Sequence, residues 1–359
     1  MRAFITGGAG FISSALVREL VSSGHDVLNY DALTYAGDLR AVASVAQSAQ
    51  YDFVQGDIVD QALVSDALSR FQPNIVFHLA AESHVDRSID GPDAFIRTNL
   101  NGTAAMLQAA RDWHAMLDGN ARHAFRFIHV STDEVYGSLG FDDPAFVEDT
   151  PYAPNSPYAA SKAGADHLAR AWYETFDLPV IITNCSNNYG PFQHPEKLIP
   201  TVIRKALSGE DIPVYGRGEN VRDWLYVEDH VAGLISAATQ GKPGQKYNFG
   251  GNAERRNLDL VHTLCDVLDA LKPNSGGTRY REQIKFVTDR PGHDLRYAVN
   301  ANRAKAELKW VPTRTFEAGL AQTVQWYLSN SDWLSRDPAE LERLGLSDTD
   351  KRASSGGKS

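Results

Sequence analysis

Thr132, Asp133 and Glu134 place a hydroxyl and two adjacent carboxylates at one point of the chain, a combination suited to acid–base chemistry. They follow an apolar run at 125–130, which predicts a buried parallel strand with these residues at its carboxyl end. Ligands of open α/β sheets bind at that end of the strands. Because neighbouring like charges raise one of the two pKa values, such a pair can hold one acid protonated and the other ionised near neutral pH.

Tyr158 and Lys162 form a second reactive pair, four residues apart, after a proline-rich loop and at the start of a predicted helix. Positions four apart share one helical face, so the Lys162 ammonium is expected near the Tyr158 phenol. A nearby positive charge favours the phenolate, and we therefore expect a lowered pKa for Tyr158. A tyrosine tuned in this way can take a proton from a substrate hydroxyl while hydride leaves the same carbon.

Short apolar runs alternate with helical patterns through the first half of the chain, which predicts an α/β fold with a Rossmann-type, doubly wound parallel sheet. The predicted strands are 3–6, 26–30, 52–55, 75–79, 125–130 and 180–183, and the helical patterns include 11–23, 61–70 and 94–113. Beyond about Asn184, Pro and Gly become frequent and the elements shorten. We therefore predict a dinucleotide-binding domain at 1–184 with an interleaved segment near 225–250, a smaller α/β substrate lobe at 185–330, and a polar tail at 331–359. The composition of the tail's final residues, from about 353, predicts disorder there.

Composition limits the classes of function. A formal net charge of −10 argues against a sequence-independent nucleic-acid surface. The two cysteines, Cys185 and Cys265, lie far apart without metal-ligand spacing, so we expect reduced thiols and no metal. No leader pattern is recognisable and no apolar run reaches the ~20 residues of a membrane span, so we expect a cytoplasmic protein.

A glycine cluster at Gly7, Gly8 and Gly10 lies between the first predicted strand and a predicted helix. Glycines there permit a tight turn and let backbone N–H groups approach a pyrophosphate at the helix N-terminus. Asp31 ends the next strand, about 20 residues further on, where a carboxylate would bind a ribose. No Arg directly follows Asp31, so the pattern predicts NAD rather than NADP.

These motifs together resemble the extended short-chain dehydrogenase/reductases that modify nucleotide sugars and, within them, the dTDP-glucose 4,6-dehydratase family. The resemblance extends from residue 1 to about 328 and includes the motifs at 6–12, 31–37, 81–89, 131–137 and 289–294. One departure is Ser13, where the family has the third glycine of the cofactor turn. A slightly looser turn is expected there, without loss of binding.

The resemblance implies conversion of dTDP-glucose to dTDP-4-keto-6-deoxyglucose with a tightly held NAD that is regenerated in each turnover. Tyr158 would take the 4-hydroxyl proton as C4 gives up hydride, Glu134 would remove the C5 proton, and Asp133 would protonate the leaving 6-hydroxyl. Hydride would then return to C6. Thr132 would hydrogen-bond the 4-oxygen, and Lys162 would bind the nicotinamide ribose.

The resemblance also implies two binding sets and a homodimer. The helices around 94–113 and 158–176 would pack against the partner, and Arg222 and Arg290 would clamp the diphosphate. The implied cofactor residues are Gly7, Gly10, Phe11, Ile12, Asp31, Ala32, Leu33, Thr34, Asp57, Ile58, Leu79, Ala80, Ala81, Ser83, Thr98, Tyr158, Lys162 and Asn188. The implied substrate residues are Ser83, Thr132, Asn187, Lys197, Leu198, Pro213, Val214, Tyr215, Arg222, Asn257, Arg290, His293 and Asp294.

Three alternatives share this fold. A 4,6-dehydratase of a GDP- or CDP-linked sugar would use the same chemistry on another nucleotide. A nucleotide-sugar 4-epimerase needs Thr132, Tyr158 and Lys162 but has no use for an acid–base pair at C5 and C6. A non-catalytic NAD-sensing regulator usually lacks the Tyr/Lys pair, which this chain retains.

Overall fold

A parallel sheet of seven strands forms the centre of the computed structural model, which describes residues 1–274 and 276–335. The strand order is β10-β6-β5-β4-β1-β2-β3, with every neighbouring pair parallel. These strands are β1 (Arg2–Thr6), β2 (Asp26–Asp31), β3 (Tyr51–Gln55), β4 (Ile75–His78), β5 (Arg126–Thr132), β6 (Val180–Cys185) and β10 (Lys246–Phe249). The predicted Rossmann-type sheet is confirmed, and all six predicted strands are present.

Alternate residues of the central strands enter two separate cores. In β5, for example, Phe127 packs into the core on one face of the sheet and Ile128 into the core on the other. This two-sided burial explains why the strands read as continuous apolar runs. The first-domain helices are α1 (Phe11–Ser22), α2 (Gln61–Phe71), α3 (Val85–Asp90), α4 (Pro92–Phe95), α5 (Thr103–Met116), α6 (Gly119–Ala124), α7 (Pro157–Phe176) and α9 (Val227–Gln240).

The second lobe has its own core and two small sheets. One sheet has the order β11-β9-β7 and the other pairs β12 with β8. Its strands are β7 (Asn187–Tyr189), β8 (Ile212–Tyr215), β9 (Val221–Tyr226), β11 (Glu254–Arg256) and β12 (Ile284–Val287). Its helices are α8 (Leu198–Ser208), α10 (Asn257–Leu271) and α12 (Phe316–Ser329), while α11 (Asn302–Leu308) packs against the first domain.

The predicted helix at 94–113 is present, but it is not α-helical throughout. A π-helical stretch, Ile96–Gly102, separates α4 from α5. Asn99 lies within it, and its side-chain amide bonds both the backbone N–H and the C=O of Glu82 and the Ser161 hydroxyl. Such wide turns are frequent at functional sites, and this one joins the loop after β4 to α7.

The predicted polar tail lies mostly outside the described residues, which end at 335. Ser331–Trp333 forms a short 3₁₀ turn in which Trp333 is buried and its indole N–H donates to the Gln193 carbonyl. The start of the predicted polar tail is therefore packed, and the final residues, for which disorder is predicted, lie outside the described residues. Within the described ranges, no helix is long and apolar enough to cross a bilayer.

Candidate active site

A cleft of about 460 Å³ runs along the carboxyl ends of β1 to β6 and continues toward the second lobe. It brings together most of the cofactor residues and all five catalytic residues named from the sequence. The predicted residues that line it are Gly7, Gly10, Phe11, Ile12, Asp31, Ala32, Thr34, Asp57, Ile58, Leu79, Ala80, Ala81, Ser83, Thr98, Thr132, Asp133, Glu134, Tyr158, Lys162, Asn187, Asn188 and Lys197.

The glycine turn closes so tightly that it excludes larger side chains. Gly7 has a φ of 69°, and a Cβ there would lie 2.9 Å from the Ala80 Cα. Gly10 caps α1, and among the described residues no side chain bonds the first amides of that helix. This end of the helix, which lines the cleft, can therefore receive an anionic group.

Ser13 forms a hydrogen bond within the turn. Its side chain is buried, and its hydroxyl donates to the Gly7 carbonyl across the first turn of α1. The slightly looser turn expected from the loss of the third glycine stays a prediction.

We predict that Ser13→Ala lowers the free energy of unfolding by about 1 kcal/mol, the usual contribution of one intramolecular hydrogen bond. Urea unfolding of the two proteins measures the difference. Ser14→Ala is the matched control, since within the described part of the chain the Ser14 hydroxyl bonds only groups of α1: it donates to the Phe11 carbonyl and accepts from Arg18. Equal stability of wild type and Ser13→Ala would show that the Ser13–Gly7 bond contributes nothing.

Asp31 joins the glycine turn to the loop after β2. Its carboxylate accepts hydrogen bonds from the backbone N–H of Ala9 at 2.9 Å and of Leu33 at 2.7 Å. Burial raises the pKa of this carboxyl, and the two amide bonds oppose that shift. This arrangement fits a dinucleotide, because it combines a tight glycine turn, a helix N-terminus without a side-chain cap and an acid at the end of the next strand. Leu33, which was also predicted to bind the cofactor, lies outside the cleft lining.

The two neighbouring acids have different environments. Burial, followed by the charges of Glu134 and Asp223, raises the pKa of Asp133 well above its usual value. Burial also raises the pKa of Glu134, but Arg290, Arg222 and Lys197 oppose that rise. The predicted asymmetry is therefore present: Asp133 is the acid that holds a proton, and Glu134 is the one that ionises more readily.

Tyr158 and Lys162 lie on the first turns of α7, which Ser156 caps by accepting a hydrogen bond from the Ala159 N–H at 3.1 Å. The Thr132 hydroxyl lowers the pKa of the Tyr158 phenol, against the larger effect of burial. The Lys162 ammonium donates instead to the Val130 carbonyl at 2.8 Å.

In the protein without NAD, the pKa of Tyr158 is raised rather than lowered. The lowering expected from Lys162 and NAD⁺ together stays a prediction. Burial and the charge of Glu134 raise this pKa well above 10, while the cation of Lys162 is directed to a backbone carbonyl. A positive charge supplied by a bound cofactor would act in the opposite direction.

Two asparagines after β6 differ in how they are engaged. The Asn188 amide donates to the Ser186 carbonyl at 2.9 Å, and its oxygen contacts the His230 ring at 2.9 Å. The buried Asn187 Oδ1 has no hydrogen-bond partner within the described part of the chain. Asn187 therefore has an acceptor available for a ligand in the cleft, whereas Asn188 helps to hold the cleft wall.

The remaining predicted substrate residues do not line the main cleft, although the charges of Arg222, Arg290 and Asp294 act on Glu134. The Arg222 guanidinium donates to the Asp294 carbonyl at 2.9 Å and lies 4.3 Å from the centre of the Tyr297 ring. Arg290 pairs with Asp86 at 2.6 Å. The residues outside the cleft lining are Leu198, Pro213, Val214, Tyr215, Arg222, Asn257, Arg290, His293 and Asp294.

Three comparisons relate this geometry to known proteins. A family model described as GDP-mannose 4,6 dehydratase matches residues 4–323. A dTDP-glucose 4,6-dehydratase from Xanthomonas campestris pv. campestris is 55% identical over 344 residues, covering 95% of this chain and 98% of that protein. DesIV, a dTDP-glucose 4,6-dehydratase from Streptomyces venezuelae crystallised with NAD bound, superposes with a TM-score of 0.84 at 43% identity, covering 93% of this chain and 98% of DesIV. The chain belongs to the dTDP-glucose 4,6-dehydratase family.

The fold alone does not distinguish this dehydratase family from epimerases. A UDP-glucose 4-epimerase from Thermotoga maritima superposes with a TM-score of 0.81 at 26% identity, covering 92% of this chain and all of the epimerase. The sequence identity distinguishes them, since it is 43–55% to the dehydratases and 26% to this epimerase. The Asp133/Glu134 pair favours the dehydratases as well.

Sequence reasoning missed a buried polar cluster at the rim of the cleft. The Arg87 guanidinium lies 3.9 Å from the centre of the Tyr35 ring and 3.6 Å from the Glu196 carboxylate. His84 and His194 also approach Glu196, at 3.7 Å and 3.5 Å. Tyr35 and Arg87 lie inside the motifs at 31–37 and 81–89 that carry the family resemblance. Their position in those motifs was the sequence feature that could have identified them. Within 1–274 and 276–335, no group of three or more His, Cys, Asp or Glu is placed to hold a metal ion.

Asp166 was also missed, although it lies one helical turn after Lys162. Its buried carboxylate contacts His129 Nε2 at 3.0 Å and accepts from the Tyr152 hydroxyl at 2.8 Å and the Asn184 amide at 3.3 Å. Although burial raises the pKa of Asp166, the bond to His129 and the charges of His129 and Lys162 hold it below its usual value. The spacing of four from Lys162 was the only sequence signal, and it could not reveal these partners.

We predict that Asp166→Asn lowers the free energy of unfolding by about 3 kcal/mol at neutral pH, because a charged, bonded carboxylate would be lost opposite the buried Lys162 ammonium. A lowered folded-state pKa contributes stability above the unfolded value of 3.8 and loses it as pH falls through the folded pKa. Denaturant unfolding across pH should therefore show the two proteins converging in acid. Tyr152→Phe, which removes one hydrogen bond to Asp166, should lower the free energy of unfolding by only about 1 kcal/mol. A difference in stability between wild type and Asp166→Asn that does not change with pH would contradict the ionic role of Asp166.

Proposed function

We propose that this protein dehydrates dTDP-glucose to dTDP-4-keto-6-deoxyglucose with NAD. One observation carries this conclusion: Asp133 and Glu134 lie side by side in different electrostatic environments, next to Thr132 and Tyr158. An enzyme that only oxidises and re-reduces C4 has no use for this pair. The family membership of the chain supports the same reaction on a dTDP-linked sugar.

Oxidation at C4 is the first step. NAD, when bound along the glycine turn, supplies the acceptor for hydride from C4 and the donor that later returns it to C6. Tyr158 as phenolate takes the proton of the 4-hydroxyl, and the Thr132 hydroxyl holds the 4-oxygen in place. The product of this step is a 4-keto sugar, whose carbonyl acidifies the hydrogen on C5.

Loss of water is the second step. Glu134 takes the C5 proton while Asp133 gives its proton to the C6 oxygen, so that the C6–O bond breaks and water leaves. The raised pKa of Asp133 favours its protonated form, which can act as the acid. The positive charges of Arg290, Arg222 and Lys197 favour the carboxylate form of Glu134, which can act as the base. In the third step C6 receives hydride and Glu134 returns its proton to C5.

Binding of the nucleotide diphosphate is proposed to involve the second lobe. Lys197 lines the cleft and donates to the Ser83 carbonyl at 3.1 Å, which places a cation between the sugar site and that lobe. Arg290 Nε and Asn257 Oδ1 are buried and have no hydrogen-bond partner among the described residues. Both atoms remain available to an incoming ligand.

Dehydration of a GDP-linked sugar is the second candidate, because the matching family model carries the description GDP-mannose 4,6 dehydratase. The 55% identity to a curated dTDP-glucose enzyme favours the dTDP nucleotide. A CDP-linked substrate, a 4-epimerase and an NAD-sensing regulator have less support, since the chain keeps both the Tyr158/Lys162 pair and the acid pair.

We also propose a homodimer formed through α5 and α7, as the family resemblance implies. Met116 and Phe176, at the ends of these helices, expose large apolar side chains, with 64% and 37% of their surfaces accessible. Light scattering coupled to gel filtration tests this proposal, which predicts about twice the mass of one chain.

A product assay tests the proposed function. Purified protein is incubated with dTDP-glucose without added NAD, and a 4-keto product is detected by its alkaline chromophore and by mass spectrometry. We expect loss of one water per substrate, with GDP-mannose and CDP-glucose much poorer substrates in parallel. Absence of product, or formation of dTDP-galactose, would contradict the proposal.

A further inference from the structure

Three aromatic side chains of the second lobe pack together beside the cleft. The ring centres of Phe192 and Trp326 lie 4.5 Å apart, and the Trp333 ring centre lies 5.2 Å from the first and 6.1 Å from the second. Phe192 and Trp333 line the cleft, as do Gly10 and Phe11 at the start of α1. We call the set of Phe192, Trp326 and Trp333 the aromatic brace.

Two arginines of the first domain lie over the rings of the brace. The Arg18 guanidinium, on α1, lies 4.3 Å from the centre of the Phe192 ring. The Arg40 guanidinium, in the segment after β2, lies 5.1 Å from the centre of the Trp333 ring. A guanidinium within about 6 Å of a ring centre is attracted by the negative face of the ring. The two contacts therefore join both cofactor-binding segments of the first domain to the second lobe.

Hydrogen bonds fix the brace to the wall of the cleft. The Trp333 indole N–H and the Tyr327 hydroxyl both donate to the Gln193 carbonyl, at 3.0 Å and 2.9 Å. The Gln193 amide donates in turn to the Asn188 carbonyl at 2.9 Å. Phe192 has a φ of 67°, a left-handed conformation that is costly for a bulky residue and must be maintained by its surroundings. The brace therefore holds this part of the wall in a strained backbone conformation.

A dinucleotide in the cleft would lie between α1 and the brace. Its pyrophosphate is expected at the N-terminus of α1, and its ribose at Asp31, at the end of β2. These are the two segments that Arg18 and Arg40 join to the second lobe. The cofactor could therefore leave past the brace only after these contacts break. Because the proposed reaction returns the hydride in every turnover, no step of the cycle requires that release.

We infer that the aromatic brace retains NAD by fastening the second lobe to the cofactor-binding segments, with Trp333 as its central positioning residue. Trp333 packs against Phe192 and presents a ring face to Arg40. Its indole N–H also bonds the Gln193 carbonyl, so one side chain takes part in all three kinds of contact. Trp333 lies beyond residue 328, where the family resemblance of the sequence ends. This inference rests on the proposed function, which supplies NAD as the cofactor.

The rate at which NAD leaves the protein tests the brace. Protein loaded with isotope-labelled NAD is mixed with excess unlabelled NAD, and the bound label is followed over time by rapid gel filtration. For Trp333→Ala we expect dissociation about tenfold faster than from wild type, or more, because a hydrogen bond and a cation–π contact are lost together. Added NAD should then raise the rate of keto-product formation by Trp333→Ala, with little effect on wild type.

Trp310→Ala is the matched control, and its stability is compared with that of Trp333→Ala by thermal unfolding. Trp310 is also buried, and its indole N–H donates to the Asp229 carbonyl at 2.9 Å, but it lies outside the cleft lining. This variant should release NAD within about threefold of the wild-type rate.

Arg40→Gln is a second test that leaves the core intact, since 56% of the Arg40 side chain is exposed. The substitution removes the cation over the Trp333 ring. We expect it to speed the release of NAD about two- to fivefold, the effect of one exposed cation–π contact.

Release of NAD from Trp333→Ala at the wild-type rate would overturn the inference, as would equally fast release from Trp310→Ala. If Trp333→Ala does not fold, wild-type release from Arg40→Gln would overturn it instead. These results would leave the proposed function intact, because wild type would still form the keto product. Wild-type protein that neither binds NAD nor forms keto product would overturn the proposed function itself.

Discussion

Phenylalanine in place of Tyr158 is expected to lower kcat by about 10²- to 10⁴-fold, the usual contribution of a positioned general base. The 4-hydroxyl proton would then have no acceptor within reach as hydride leaves C4. Because the phenol acts mainly on the transition state, KM should change far less than kcat. Steady-state kinetics with dTDP-glucose measure the loss, and rapid mixing should show no transient absorbance at the wavelength of reduced nicotinamide.

Tyr136→Phe is the matched control for this substitution. The Tyr136 hydroxyl is also buried, but it donates to Asn248 at 2.9 Å and lies outside the cleft lining. The control should keep kcat within about threefold of wild type. Retention of more than a tenth of kcat by Tyr158→Phe would contradict its assignment as the base.

Glutamine in place of Glu134 is expected to stop the reaction after the first hydride transfer. The 4-keto sugar would form, but its C5 hydrogen would have no base, so dehydration should fall by about 10²- to 10⁴-fold. Reduced nicotinamide should therefore accumulate on the enzyme. In deuterated water, exchange of the C5 hydrogen should fall by a similar factor.

Asp133→Asn separates the two acids. This variant keeps Glu134 as the base, so C5 exchange should continue while expulsion of water slows by about 10²-fold or more. Wild-type kinetics for Glu134→Gln, or loss of C5 exchange in Asp133→Asn with full exchange in Glu134→Gln, would show that the roles of the two acids are wrong.

The main sheet could be predicted because its strands are buried on both faces. The apolar run before Thr132, for example, predicted β5 to within two residues at its carboxyl end. The sequence did not reveal that β5 continues to Thr132, because that extension depends on pairing with β6, where Thr132 lies opposite Cys185. The π-helical stretch within the helix at 94–113 was hidden for a similar reason: Asn99 is held there by Glu82 and Ser161, which are distant in sequence.

The candidate site was predicted where function depends on spacing and missed where it depends on side-chain direction. Spacing alone placed Tyr158 and Lys162 on one helical face. It could not show that the ammonium donates to the Val130 carbonyl, nor that the phenol is buried near Glu134, which raises the pKa of Tyr158 in the protein without NAD. Asp166 was missed because its partners His129, Tyr152 and Asn184 come from three separate segments.

The hydrogen on C4 provides the most direct test of the proposed dehydration. dTDP-glucose carrying deuterium at C4 would be converted by the purified protein in ordinary water, and the product analysed by NMR and mass spectrometry. We predict deuterium at C6 of the 4-keto-6-deoxy product, because the hydride taken from C4 is returned to C6 after water has left. Deuterium retained at C4, as in an epimerase, or lost entirely to solvent would contradict the proposed sequence of steps.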